Sequence, residues 1–151
     1  MPARLHRPPV RGWRPPVGAI YVGPGSRWAN PWRWRTRDAL ARVPALDGSD
    51  WELETRISSA GRWHHYLRDG RVTPHWIRYM TRAECVDLYR QALVAPAGEV
   101  RLWQNGDPHL TLADARADLA GHDLVCRCAI GQLCHADVLL ELANQPEETT
   151  R

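Results

Sequence analysis

The sequence predicts a small single α/β domain, with a parallel or mixed sheet flanked by helices, behind a disordered basic N-terminal arm. Three observations lead there. A short apolar run, Gly18 to Val22, ends in a glycine-rich turn, and capped helical segments alternate with strand-like segments from residue 81 onward. Alternation of that kind favours a sheet covered by helices. The length of 151 residues suits one domain, since a chain of this size buries roughly 70% of the surface its unfolded form exposes.

Residues 1–16, MPARLHRPPVRGWRPP, combine five prolines and four arginines with no apolar period. Such a segment is expected to be extended or disordered until something binds it. The α/β domain is placed at residues 17–145, with a tail at 146–151. Gly18 to Val22, GAIYV, reads as a buried strand that runs into the turn-rich GPGSRWANP. Residues 33–80 read as an insertion, in which Asp38 to Val43 and Ala60 to Arg68 suggest short helices and Gly48, Gly61, Gly70 and Pro74 suggest breaks.

Thr81-Arg82-Ala83-Glu84 has the form of a capping box, so a helix is expected to about Val94. Cys85, Leu88, Ala92 and Leu93 recur along it at helical spacing, which places Cys85 in the core. Glu99 to Trp103 alternates like a strand, Asn105-Gly106 marks a turn, and Thr111 with Asp114 opens a second helix that ends at Gly121. A strand over Asp123 to Cys128 follows. The last helix runs from about Cys134 to Asn144, with Val138, Leu139 and Leu142 as its buried stripe and Asn144 and Pro146 as its stop.

No run of 18 apolar residues occurs and the N-terminus lacks a secretory apolar core, so the expected location is cytoplasmic, in a bacterial cell or a phage-infected host, with no membrane partner. All 20 basic residues are arginine, and the net charge of +3 hides an asymmetry. Residues 1–37 carry eight arginines and no acid, a local basic region that suggests an anionic partner such as a nucleotide or nucleic acid. A solvated basic tail is the alternative.

Two segments carry candidate chemistry. Gly23, Gly25 and Ser26 follow a predicted strand, where a turn can aim backbone N–H groups at an anion. Arg27 adds a fork for phosphate, Trp28 a stacking face and Asn30 a further polar group, so Gly23, Gly25, Ser26, Arg27, Trp28 and Asn30 form the candidate phosphate or nucleotide site. The alternative is a tight turn in which Asn30 bonds the backbone and Trp28 and Trp32 cover the core. In the second segment, Cys126 and Cys128 leave one face of a strand and Cys134 follows a five-residue loop, so three thiolates converge. Zinc takes four such ligands in a tetrahedron, and His135 is the nearest fourth, with His122, the His64-His65 pair or water as alternatives. A rival reading makes Cys134, at a helix N-terminus, a nucleophile assisted by His135 or Asp137. Plain packing of small, soft cysteines is the third.

YVGPGSRWANPW, Tyr21 to Trp32, and GHDLVCRCAIGQLCHADVLLELAN, Gly121 to Asn144, together resemble the uncharacterised phage and bacterial family called domain of unknown function 4326. Matches to the family's pattern fall on Tyr21, Val22, Gly23, Ser26, Arg27, Trp28, Asn30, Pro31, Cys126, Cys128, Cys134, His135 and Asp137. Departures are Ala29 for glycine, Arg127 for tryptophan, and no proline between Ala129 and Leu133. The resemblance implies that the two segments work as one unit, and it implies no activity.

Three functions are therefore open: binding of a phosphate-bearing ligand, with tryptophans 13, 28, 32 and 34 interleaved with arginines 14, 27, 33 and 35; nucleotide or nucleic-acid chemistry by Cys134, His135 and Asp137; and host interaction of a phage protein through a tryptophan-rich surface.

Overall fold

In the computed structural model, residues 1–95 and 110–146 are described. In chain order the elements are β1 (Arg4–His6), β2 (Ile20–Tyr21), β3 (Leu40–Val43), β4 (Glu52–Leu53), β5 (Arg62–Arg68), β6 (Arg71–Tyr79), α1 (Arg82–Val94), α2 (Leu112–Leu119), β7 (Leu124–Cys126) and α3 (His135–Asn144). The fold is mixed α/β, and the chain divides into two compact units, Met1–Pro31 with Val86–Arg151, and Trp32–Cys85. The expected strand at Glu99 to Trp103, the Asn105-Gly106 turn and all of the tail beyond Pro146 lie outside the described residues. No helix among the described residues is long and apolar enough to cross a membrane.

The first unit is built on a parallel sheet in the order β1-β7-β2. Leu124, Val125 and Cys126 are all buried, so β7 needs a partner on each edge to satisfy its backbone. Residues 4–6, expected within the disordered arm, supply one of them: Leu124 N donates to Ala3 O at 3.0 Å and Arg7 N to Cys126 O at 2.9 Å. The arm is thus a strand here, because an unpaired edge of β7 would cost more than ordering three residues. On the other edge, Val22 N donates to Val125 O at 2.8 Å. Leu119 of α2 and Ala136, Val138, Leu139, Leu142 and Ala143 of α3 complete this core.

Helix ends follow the expected chemistry. Glu84 N donates to Thr81 Oγ1 and Thr81 N to Glu84 Oε1, and the Thr111 and Asp114 pair makes the same reciprocal cap on α2. Cys134 caps α3, with its sulfur accepting from Ala136 N at 3.4 Å.

The second unit holds an antiparallel sheet in the order β4-β3-β6-β5. Asp38 to Val43 and Ala60 to Arg68, expected as short helices, instead hold the strands β3 (Leu40–Val43) and β5 (Arg62–Arg68). The decisive local feature is Asp69-Gly70, both at positive φ (51° and 74°), a two-residue reversal that twists in the sense a hairpin needs and joins β5 to β6. Inside, buried Arg42 donates through Nε to Glu54 Oε2 at 2.9 Å and through Nη2 to the Tyr66 hydroxyl at 2.7 Å, with Glu52 on its Nη1. Tyr66 donates in turn to Glu54 Oε2 at 2.7 Å.

Candidate metal centre and adjoining loop

β7 ends at Cys126, so Cys128 sits in the following turn and not on the strand face expected for it. Its thiol still lies 3.9 Å from that of Cys126, but Cys128 falls outside the group of converging ligand atoms that Cys126, Cys134 and His135 form. The turn carries the chain toward Cys134, whose backbone is extended (φ −147°, ψ 143°) while His135 begins the helix. That change of conformation lets two adjacent side chains converge, and Cys134 Sγ lies 3.7 Å from His135 Nδ1. The ligand atoms of Cys126, Cys134 and His135 all fall within 4.8 Å of one another, and all three residues are buried.

Zinc bonds of about 2.3 Å to sulfur and about 2.0–2.1 Å to nitrogen in a tetrahedron give edges of roughly 3.8 Å between sulfurs and roughly 3.5 Å between sulfur and nitrogen. The two measured separations lie close to these edges. His135 is also set in the form a metal needs. Its Nε2 lies 2.7 Å from the carbonyl of Val22, which can only accept, so Nε2 carries the proton and Nδ1 presents a lone pair toward Cys134. Burial lowers the imidazole pKa and keeps the ring neutral.

The thiols share negative charge unequally. Hydrogen bonds from Cys128 and then Cys134 hold Cys126 far below the usual thiol range, whereas its hydrogen bond to Cys126 pushes Cys134 up. Arg4 adds a compensating charge. Its Nε pairs with Asp137 Oδ1 at 3.1 Å, its Nη2 donates to Gln132 O at 2.9 Å, and its buried Nη1 has no hydrogen-bond partner. The hydrogen bond to Cys126 pushes the Cys128 thiol above the usual range, and the Arg4 guanidinium acts weakly in the opposite sense.

The other expected ligands have these places. His122 Nδ1 is 2.8 Å from Gly18 O, and His64 and His65 belong to β5. Asp137 is bound to Arg4. Arg4 itself was invisible in the sequence, because a single arginine in a proline-rich segment carries no signal of burial.

The glycine-rich loop starts where His135 is anchored. Val22 is fully buried, and a Cβ on Gly23 would lie 2.8 Å from the Tyr21 hydroxyl, so glycine there admits the close approach of that ring. Ser26 donates through N and Oγ to Gly23 O at 3.1 and 2.7 Å, and Gly25 turns at φ 88°. Arg27, about half exposed, lies 3.3 Å from Asp118 Oδ2 and 3.9 Å from Asp114 Oδ2, and its guanidinium covers the Trp28 ring at 5.2 Å. Ala29 N donates to Ser26 O, and Asn30 is partly buried. Trp28 is buried, and its carbonyl accepts from the Tyr89 hydroxyl at 2.8 Å. Tyr89 also meets the His135 ring edge-on at 5.0 Å, so one side chain braces loop and cluster together. Of the other tryptophans, Trp32 is buried and Trp34 is stacked by Arg35 and Arg82.

The family model described as Domain of unknown function (DUF4326) matches residues 5–145. No curated protein and no solved structure matches the chain.

Proposed function

The chain belongs to the family of domain of unknown function 4326, and from the site that its two motifs build we propose that it is a zinc-held domain that binds a phosphate-bearing ligand, a nucleotide or a nucleic acid. Cys126, Cys128, Cys134 and His135 supply the metal ligands. Gly23, Gly25, Ser26, Arg27, Trp28 and Asn30 form the adjoining loop on the ligand side. The observation that carries this reading is the double engagement of His135, with Nδ1 3.7 Å from Cys134 Sγ and Nε2 2.7 Å from Val22 O. Through it, a metal would fix the first residue of the glycine-rich loop and hold the loop past the carboxyl end of a parallel strand, where α/β sheets bind ligands. The basic charge of residues 1–37 supports an anionic ligand.

The nucleophile reading finds less support. Cys134 is buried and its pKa is raised, whereas a reactive thiol is exposed and its pKa lowered. A test is the binding of a fluorescein-labelled single-stranded oligonucleotide and of nucleoside mono- and diphosphates to protein as purified and after chelation. Salt-sensitive binding that is lost with the metal is expected. Absence of binding to every phosphate probe at low salt overturns the ligand assignment.

A further inference from the structure

All three strands of the parallel sheet end on the same edge, so the segments that follow them lie side by side: Arg7 to Val10 after β1, Arg127 and Cys128 after β7, and the glycine-rich loop after β2. Between the first two is a cleft of about 560 Å³ lined by His6, Arg7, Pro8, Pro9, Val10 and Arg127. Three of these residues are basic and none is acidic. The volume falls within the roughly 300–1,000 Å³ of small-molecule sites. Its walls are fixed by the chemistry already described. Arg7 N donates to Cys126 O at 2.9 Å, and His6 Nδ1 lies 3.1 Å from Cys128 O, so the turn that carries Arg127 between the two thiols is pinned from the cleft side.

We infer that this cleft is a second phosphate subsite, contiguous with the glycine-rich loop, which takes a phosphate of a nucleotide or of a nucleic-acid strand on Arg127 and Arg7. Contiguity runs through Tyr21. The Arg7 guanidinium lies 5.0 Å from the centroid of its ring, and its hydroxyl donates to Pro24 O in the loop at 2.9 Å. Arg127 is exposed, and among the described residues no carboxylate lines the cleft, whereas Arg27 of the loop sits beside two carboxylates. An incoming phosphate therefore meets two arginines in the cleft with no carboxylate among its lining residues. Pro8, Pro9 and Val10 give the same cleft an apolar wall against which a sugar or base can pack. In a parallel sheet, the crevice outside the carboxyl ends of adjacent strands is the usual place for such a ligand.

The inference rests on the reading that the ligand bears phosphate, and the experiment separates the two. Zinc-loaded wild type, Arg127→Glu, Arg127→Gln and the charge control Arg71→Glu, an exposed arginine outside the basic region, are titrated with a labelled single-stranded oligonucleotide and with a nucleoside diphosphate, after zinc content and melting temperature confirm that each variant is intact. Arg127→Gln keeps length without charge and guards against a folding defect in Arg127→Glu. The expected result is at least about tenfold weaker binding in both Arg127 variants, with a log-affinity against log-salt slope for the oligonucleotide shallower by about 0.7 in Arg127→Gln, the loss of one phosphate contact. Arg71→Glu stays near wild type. If only the oligonucleotide responds, the phosphate is that of a strand; if the diphosphate responds equally, it is that of a free nucleotide. Wild-type binding that Arg127→Gln and Arg127→Glu weaken no more than Arg71→Glu overturns the cleft and leaves phosphate binding standing. Failure of wild type to bind either probe overturns both.

Discussion

His135 ties a buried imidazole to a backbone carbonyl on one side and to a thiol on the other. In metal-free protein, His135→Ala leaves the buried Val22 carbonyl without its donor, an expected loss of about 1–3 kcal/mol in urea denaturation. Tyr89→Phe does the same to the Trp28 carbonyl and is expected to cost a similar amount while leaving metal content unchanged. Arg27 behaves differently. Its contacts to Asp118 and Asp114 are solvent-exposed ion pairs, so Arg27→Ala is expected to cost under about 1 kcal/mol in the unliganded protein. What it removes is stabilisation by ligand, which a loop-bound phosphate supplies to about 2.7 kcal/mol at one hundred times its dissociation constant. A large loss of stability without any ligand response in Arg27→Ala identifies the loop as a turn braced by its arginine. The convergence of Cys126, Cys134 and His135 was legible from spacing, whereas that of Cys128 with the same group was expected and is not found. Arg4, His6 and Tyr89 were not legible, since their roles depend on contacts distant in sequence.

At the scale of elements, the capped helices were readable because each cap is a local exchange of hydrogen bonds within four residues, as at Thr81 and Glu84 or Thr111 and Asp114. β1 was not, because only its pairing with β7 makes a strand of Arg4–His6. Its deletion is therefore no neutral trimming of a tail. Removing residues 1–7 takes away the β1–β7 ladder, the flanking hydrogen bonds to Asp123, Leu124 and Cys126, and the contacts of Arg4 and His6, so at about 1 kcal/mol for each bond the expected loss exceeds about 3 kcal/mol. Removing residues 1 and 2 alone leaves the melting temperature unchanged. β5 and β6 carried a readable signal, Asp69-Gly70 between two strand-length runs, which the glycine breaks around it obscured. Their sheet encloses Glu54, whose carboxylate is fully buried. Burial acts to raise its pKa, but hydrogen bonds from Arg42 and Tyr66 outweigh that and hold it below the ordinary value. A depressed carboxylate stabilises the fold above its unfolded pKa and ceases to as pH falls through the folded one, so acid melting that begins below about pH 4.3 is expected to involve this group. Glu54→Gln removes one of the two carboxylates on Arg42, leaving Glu52 as its partner, and is expected to cost about 1–3 kcal/mol at neutral pH. It should also flatten that acid limb in a melting-temperature series against pH.

For the whole molecule, the family match extends over residues 5–145 and so includes both compact units, while the cysteine-histidine cluster, the glycine-rich loop and the basic cleft all belong to the first. The net charge of +3 was legible as local rather than general, and part of that local charge has a place in the structure. Arg4 pairs with Asp137 and Arg7 lines the cleft, at the start and just past the end of β1. Periodicity and composition forecast the α/β class, since alternating elements are a local pattern. How the chain divides is decided by contacts between distant segments, to which no local pattern points. The account rests on a metal joining Cys126, Cys128, Cys134 and His135, and elemental analysis of untagged protein purified without chelator tests it most directly. About one equivalent of zinc is predicted, absent from Cys126→Ser and Cys134→Ser, together with a fall in melting temperature when a chelator is added to wild type. Protein that carries no metal and melts at the same temperature with and without chelator would contradict it.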